Sequence, residues 1–140
     1  MNDGTEPIAD VELLYRRIPA AWYDLTTGII GELAFAPNKD RDTTGLSVSR
    51  AKYKTVEQAA LGQSGKKYFV AVLIAGELRR AQPAIQIVPQ PHLPDGYDAS
   101  HAELPDLTAG NRKDNDTLVR QELLATPPCL LRVDGPFFTP

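Results

Sequence analysis

The chain has 140 residues, of which 42% are hydrophobic and 24% charged, and a formal net charge of −3. This composition is typical of one globular domain with its own core and argues against general disorder. The longest apolar run, residues 68–75, is shorter than the roughly 20 residues of a membrane helix, and a single cysteine, Cys129, excludes an internal disulfide. The acidic start lacks the pattern of a secretion signal, so we expect a cytoplasmic protein with no membrane partner.

The N-terminus is rich in carboxylates. Residues 1–10 contain Asp3, Glu6 and Asp10 and little that could be buried, which predicts a flexible acidic tail. The remainder, residues 11–138, is expected to form a single domain.

Two segments of this domain alternate between apolar and polar residues, as strands do. In residues 11–18 the alternation predicts that Val11, Leu13 and Tyr15 face the core. Residues 44–50 alternate more regularly and form the second predicted strand.

The other predicted elements are short. Residues 55–58 have the form of a capping box at the start of a helix, and the apolar run at residues 68–75 predicts a strand buried on both faces. This irregular mixture predicts an α+β fold with a mostly antiparallel or mixed sheet and a few short helices. Further short elements are expected at residues 76–81 (helix), 85–88 (strand), 97–104 (strand), 118–125 (helix) and 129–133 (strand), with a proline-rich loop at residues 89–96.

The charge is distributed unevenly along the chain. From Lys39 to Lys67 there are seven lysines and arginines against three carboxylates, and between residues 85 and 126 the ratio is reversed. If the basic segment forms one patch, it would attract a nucleotide, a nucleic acid or an acidic partner surface. The alternative is a solvated face that the acidic half neutralises, since the sequence pI is near 5.3.

The motifs of common nucleotide and zinc enzymes are absent from the sequence. There is no phosphate-binding loop, no dinucleotide-binding glycine pattern, no His-Glu-x-x-His and no Cys-x-x-Cys. We therefore expect no metal and no cofactor, and we interpret Cys129 as a buried thiol.

Five polar residues on the predicted strands form a candidate catalytic site. Two-residue spacing keeps His101 and Glu103 on one face of their strand, as it keeps Ser47 and Ser49 on theirs. If the strands pair suitably, the arginine and hydroxyls would hold a phosphate while the imidazole or the carboxylate handles a proton. Each residue also has a structural explanation: a solvent-facing serine, a surface arginine, a structural histidine. The candidate residues are Arg16, Ser47, Arg50, His101 and Glu103.

The order of these residues resembles that of the ADP-ribosyltransferases. In that family an arginine lies on the first strand, a serine on a middle strand and a glutamate on a late strand. Here Ser47-Val-Ser49 replaces the Ser-Thr-Ser element, and the Glu-x-Glu or Gln-x-Glu motif is missing. The resemblance implies a transferase as a minor alternative.

Several motifs are similar to those of a group of small uncharacterised bacterial proteins. They are Leu14-Tyr-Arg-Arg-Ile-Pro19 with Trp22, Ala34-Phe-Ala-Pro37, Gly45-Leu-Ser-Val-Ser-Arg50, Ile87-Val-Pro-Gln-Pro91 and Ser100-His-Ala102. This resemblance implies a bacterial cytoplasmic protein and carries no established activity.

Three functions follow as hypotheses, and the third is nucleic-acid binding without catalysis through the segment from Lys39 to Lys67, which predicts a steep salt dependence. The first is a binding or accessory protein that acts through a protein partner. Its surface would lie around the proline loop, the first loop (residues 20–42) and the basic segment. The alternative is a toxin-like or effector enzyme that acts on a nucleotide or nucleic acid through the five candidate residues. The second predicts that their side chains converge.

Overall fold

A six-stranded antiparallel sheet forms the frame of the protein. The computed structural model describes residues 3–140, apart from the side chain of Glu32. The strands are β1 Leu13–Pro19, β2 Tyr23–Asp24, β3 Ile29–Ile30, β4 Leu46–Arg50, β5 Lys67–Ile74, β6 Val88–Pro89, β7 His92–Leu93, β8 Gly96–Tyr97, β9 His101–Leu104 and β10 Leu130–Phe138.

The helices are few and short. Thr55 and Gln58 form the predicted capping box, in which each side chain bonds the other residue's backbone, and this starts the first helix. The longest helix has ten residues, and none of those described has the length and apolar character needed to span a membrane. The α-helices are α1 Val56–Ala59, α2 Ala75–Arg80 and α3 Asn115–Leu124, and 3-10 helices cover Ala20–Trp22, Glu32–Phe35 and Ala109–Asn111.

The sheet order confirms the predicted fold class. The strands lie in the order β10-β5-β1-β4-β9-β6, and every described pair in the sheet is antiparallel. The β2–β3 and β7–β8 hairpins lie outside this sheet. The protein is therefore an α+β fold with short helices.

The apolar run predicted at residues 68–75 forms β5, which pairs with β1 on one side and β10 on the other. Its side chains from Tyr68 to Leu73 are buried whichever face they point to. A strand covered on both faces has no polar alternation, which explains the unbroken apolar sequence.

The side chains of β1 that face the core are not those that the sequence predicted. Leu14 and Ile18 are fully buried, whereas Val11 is 85% exposed and precedes the strand. The cause is the register, in which Leu14 pairs with Leu73 of β5 and Arg50 of β4. A shift of one residue turns every side chain of a strand to the other face.

The N-terminal segment also differs from the prediction. The segment was expected to contain little that could be buried, but Ile8 is 3% exposed and belongs to the core. Gly4 is buried as well. Met1 and Asn2, the start of the expected tail, lie outside the described residues.

The pairing of β1 with β4 is short, and this opens the sheet. The two strands pair only at Leu14–Arg50 and Tyr15–Ser49, whereas β1 continues along β5 as far as Pro19. Beyond Tyr15, β1 therefore separates from β4 and leaves a gap between the two strands.

Candidate functional site

An open cleft of about 960 Å³ lies where β1 and β4 separate. Its walls include both strands, the 3-10 helix at Ala20–Trp22, the end of α1 and residues 61–68. Side chains of Ser47 and His101 reach this cleft from neighbouring strands.

The lining of the cleft is strongly basic. Four of its cations belong to the basic segment from Lys39 to Lys67, and β1 contributes two more. Asp42 and Asp98 are the carboxylates that the described lining contains. Since low-dielectric walls concentrate the field of such charges, the cleft attracts anions. The cationic residues are Arg16, Arg17, Arg41, Lys54, Lys66 and Lys67.

Arg16 bridges the gap between the separated strands. Its Nε donates to the Ala34 carbonyl at 3.1 Å, and its Nη1 donates to the Ser47 carbonyl at 2.9 Å. The loss of solvation lowers the pKa of the Arg16 guanidinium, and the charge of Asp42 opposes this effect. Arg16 thus holds β4 in place with its positive charge next to Ser47.

Ser47 and His101 form a hydrogen-bonded pair in the cleft. Register places Ser49 opposite His101, and the imidazole reaches diagonally to Ser47, with 3.3 Å between Nε2 and Oγ. The other ring nitrogen, Nδ1, lies 2.8 Å from the Gln90 carbonyl oxygen. A carbonyl can only accept, so Nδ1 carries a proton and donates to it, and Nε2 is the ring nitrogen that faces the Ser47 hydroxyl.

Glu103 lies beside this pair, behind the cleft wall. Its Oε2 is 4.0 Å from Nε2 of His101, and its Oε1 accepts from the Thr44 hydroxyl at 2.7 Å. The carboxylate is close enough to stabilise a protonated imidazole. Glu103 itself does not line the cleft. The ADP-ribosyltransferase-like alternative stays a prediction.

Arg50 does not join the other four candidates. Its fully buried side chain lies at the far end of β4, where Nε and Nη2 donate to the two carboxylate oxygens of Glu12 at 3.0 and 2.7 Å. Nη1 donates to the carbonyls of Gly4 and Glu6. Burial alone would lower the pKa of Arg50, but the hydrogen bonds and charge of Glu12 raise it. The expectation that Arg50 lines a common cleft, or is a surface charge, was wrong.

Lys54 and Asp98 lie at one end of the cleft, with 3.5 Å between the ammonium and a carboxylate oxygen. Burial alone would raise the pKa of Asp98, but hydrogen bonds from Ser100 and the charge of Lys54 lower it. Asp98 is thus an ionised group that offsets one of the cations.

Arg17 lies on the cleft wall near an aromatic ring. The Arg17 guanidinium is 5.1 Å from the centre of the Tyr68 ring and donates to the Leu61 carbonyl. Trp22, which is 37% exposed, and Tyr15 also line the cleft. The cleft therefore combines cations with accessible aromatic surface.

Of the residues predicted for the site, Arg16, Ser47 and His101 line the cleft and Glu103 lies behind its wall. Several other lining residues, including Arg17, were not among the predicted site residues. Arg17 and Lys54 belong to the cleft because β1 separates from β4 and the chain after β4 turns back, and no local motif encodes either event. The Gln90 carbonyl, which orients His101, is a backbone group without any sequence signal.

Comparison with models of protein families, with curated proteins and with solved structures finds no significant match to this chain.

Proposed function

We propose that the protein binds a single-stranded nucleic acid in the cleft between β1 and β4. The observation that carries this proposal is the lining, in which six cations face two carboxylates. Lysines and arginines that neutralise phosphates release condensed counterions, which supplies most of the affinity of such complexes. Cations spread along an open cleft suit a ligand with a chain of phosphates better than a ligand with a single phosphate.

The aromatic residues of the cleft support a single strand as the ligand. Unpaired bases stack on exposed rings, and each such contact contributes roughly 1–3 kcal/mol. Trp22 and Tyr15 offer this surface beside the cations. A duplex, whose bases are already stacked on each other, could not use these rings.

Lys66 and Lys67 are suited to contact the phosphates. Both side chains are exposed and line the cleft, and no carboxylate among the described residues forms an ion pair with either. By contrast, Lys52 from the same basic segment is paired with Glu6 at 3.0 Å. The first two lysines therefore keep their charge available to a ligand.

The test is fluorescence anisotropy of a labelled single-stranded oligonucleotide at several salt concentrations. We expect the double variant Lys66→Ala, Lys67→Ala to bind more weakly and to flatten the salt dependence, by about 0.7 in log–log slope for each lost phosphate contact. The matched control removes two exposed lysines outside the cleft, Lys39→Ala and Lys113→Ala, and should bind like the wild type. Equal weakening in both double variants would contradict a specific cleft.

A protein partner remains a second candidate, supported by the first loop. Leu25, Ile29 and Leu33 are 67%, 64% and 57% exposed, an unusual concentration of large apolar side chains on one short segment. If a partner covers them, Ile29→Ser should abolish its capture from a bacterial lysate while Leu118→Ser, on α3, should not. Equal capture by both variants would contradict this candidate.

A further inference from the structure

We propose that the cleft cleaves RNA, with His101 as the general base that removes a proton from a ribose 2′-hydroxyl. This inference rests on the proposed function and adds a reaction to it.

The orientation of His101 supplies the first argument. The Gln90 carbonyl fixes a proton on Nδ1, so Nε2 is the ring nitrogen left to accept, and it faces the Ser47 hydroxyl at the cleft. A general base needs an unprotonated nitrogen within hydrogen-bond reach of the hydroxyl it acts on. The Ser47 hydroxyl, 3.3 Å from Nε2, marks where such a hydroxyl must lie, and in the proposed complex the 2′-hydroxyl replaces it as the partner of Nε2.

The surroundings of Nε2 supply the second argument. Once the ring takes a proton it becomes a cation, and the Glu103 carboxylate at 4.0 Å stabilises it. Thr44 holds that carboxylate in place through its hydroxyl. The Arg16 guanidinium donates to the backbone carbonyl of Ser47, so its positive charge is close enough to stabilise negative charge that develops on a phosphate.

The chemistry of RNA fits this arrangement. The 2′-oxygen gives its proton to Nε2 and forms a bond to the adjacent phosphorus, while the bond from phosphorus to the 5′-oxygen breaks. The departing 5′-oxygen takes a proton from water in the open cleft, and His101 later returns its proton to solvent. The products are a 2′,3′-cyclic phosphate and a 5′-hydroxyl end, so no oxidant, reductant or other reactant is needed. DNA lacks the 2′-hydroxyl and would be bound without cleavage.

The experiment compares two oligonucleotides of one sequence, unmodified RNA for cleavage and its 2′-O-methyl form for binding. The variant His101→Asn retains an N–H that can donate to the Gln90 carbonyl but has no counterpart of Nε2. We expect wild-type protein to cut the RNA to cyclic-phosphate products and His101→Asn to cut it at least about 100-fold more slowly. His101→Asn should still bind the 2′-O-methyl strand, with a loss of affinity much smaller than its loss of cleavage rate, which also shows that the variant is folded.

Two results would overturn the inference. If the wild-type protein binds the 2′-O-methyl strand but leaves RNA intact, or if His101→Asn cleaves at the wild-type rate, the cleft binds without this chemistry and the proposed function stands. If neither strand binds, the proposed function fails together with the inference.

Discussion

At the scale of single residues, the arginine with the most complete set of partners lies outside the cleft. The Arg50 guanidinium has no exposed surface and is satisfied by the Glu12 carboxylate together with the carbonyls of Gly4 and Glu6. A buried charge must be paired and hydrogen-bonded in this way, because water no longer solvates it. We therefore assign Arg50 a structural role, in which it fastens the N-terminal segment to β4.

Removal of the Glu12 carboxylate should strongly destabilise the protein. Glu12→Ala leaves Arg50 buried with only the more distant Glu6 carboxylate at 3.6 Å, and we expect the free energy of unfolding in urea to fall by about 3 kcal/mol. The control, Asp134→Ala, breaks the exposed pair with Arg132 and should cost less than about 1 kcal/mol. Similar losses in both variants would contradict a special role for Arg50.

The lowered pKa of Glu6 predicts that the protein loses stability in acid. The hydrogen bond from the Tyr53 hydroxyl, aided by Lys52, lowers the pKa of Glu6 from its ordinary value of 4.5 to about 2. The stabilisation that this carboxylate provides is therefore complete above about pH 4.5 and is lost as the pH falls towards 2. Tyr53→Phe should make the unfolding free energy less dependent on pH in this range, whereas Tyr97→Phe should not. If the unfolding free energy of Tyr53→Phe changes with pH as steeply as that of the wild type, Glu6 is not responsible for the acid sensitivity.

The sequence could predict which residue types form the site but not which arginine belongs to it. Arg16 and Arg50 look alike in a strand pattern, and only the packing of residues 3–12 on β4 buries the second. That contact joins segments about 40 residues apart, so no local rule reveals it. His101 was predictable as a polar residue on a strand, while its orientation depends on the Gln90 backbone.

At the scale of elements, the packing of the N-terminal segment, residues 3–10, onto the rest of the fold depends on one glycine. Gly4 has a φ of +95°, which L side chains rarely adopt, and a Cβ there would lie 2.6 Å from the Ala99 carbonyl oxygen. Its carbonyl also accepts from Arg50. The segment can therefore dock only with glycine at this position.

Gly4→Ala should detach this segment. We expect a loss of about 1–3 kcal/mol in unfolding free energy, with faster hydrogen exchange confined to the amides of residues 3–10. Gly110→Ala is the control, because a Cβ there meets nothing closer than 3.9 Å, and it should change stability by less than about 0.5 kcal/mol. Unchanged exchange at residues 3–10 in Gly4→Ala would contradict the proposed docking.

Elements that a local sequence signal marks were predictable. Features that depend on how one strand pairs with another were not. The capping box at Thr55 and the apolar run of β5 appear where the sequence indicated. Asp134 and Gly135 form a dipeptide typical of a turn, yet both residues lie within β10. Gly135, with a φ of +123°, instead lies at a register shift where β10 bulges against β5.

At the scale of the whole molecule, the uneven charge of the sequence becomes a basic cleft. Four of the seven cations between Lys39 and Lys67 line it, while Arg50 and Lys52 bind carboxylates of the N-terminal segment. The net charge of −3 therefore conceals a local positive field. The separation of β1 from β4 creates this cleft, and it is a property of the tertiary fold.

The central claim is that this cleft is the binding site for a nucleic-acid strand. The most direct measurement is an NMR titration of isotope-labelled protein with a 2′-O-methyl RNA oligonucleotide, following the backbone amide shifts. We predict the largest changes at Ser47, Lys67 and His101, with little change at Ile29 of the exposed loop or Leu118 of α3. Absent changes, or changes concentrated on the loop around Ile29, would contradict the claim.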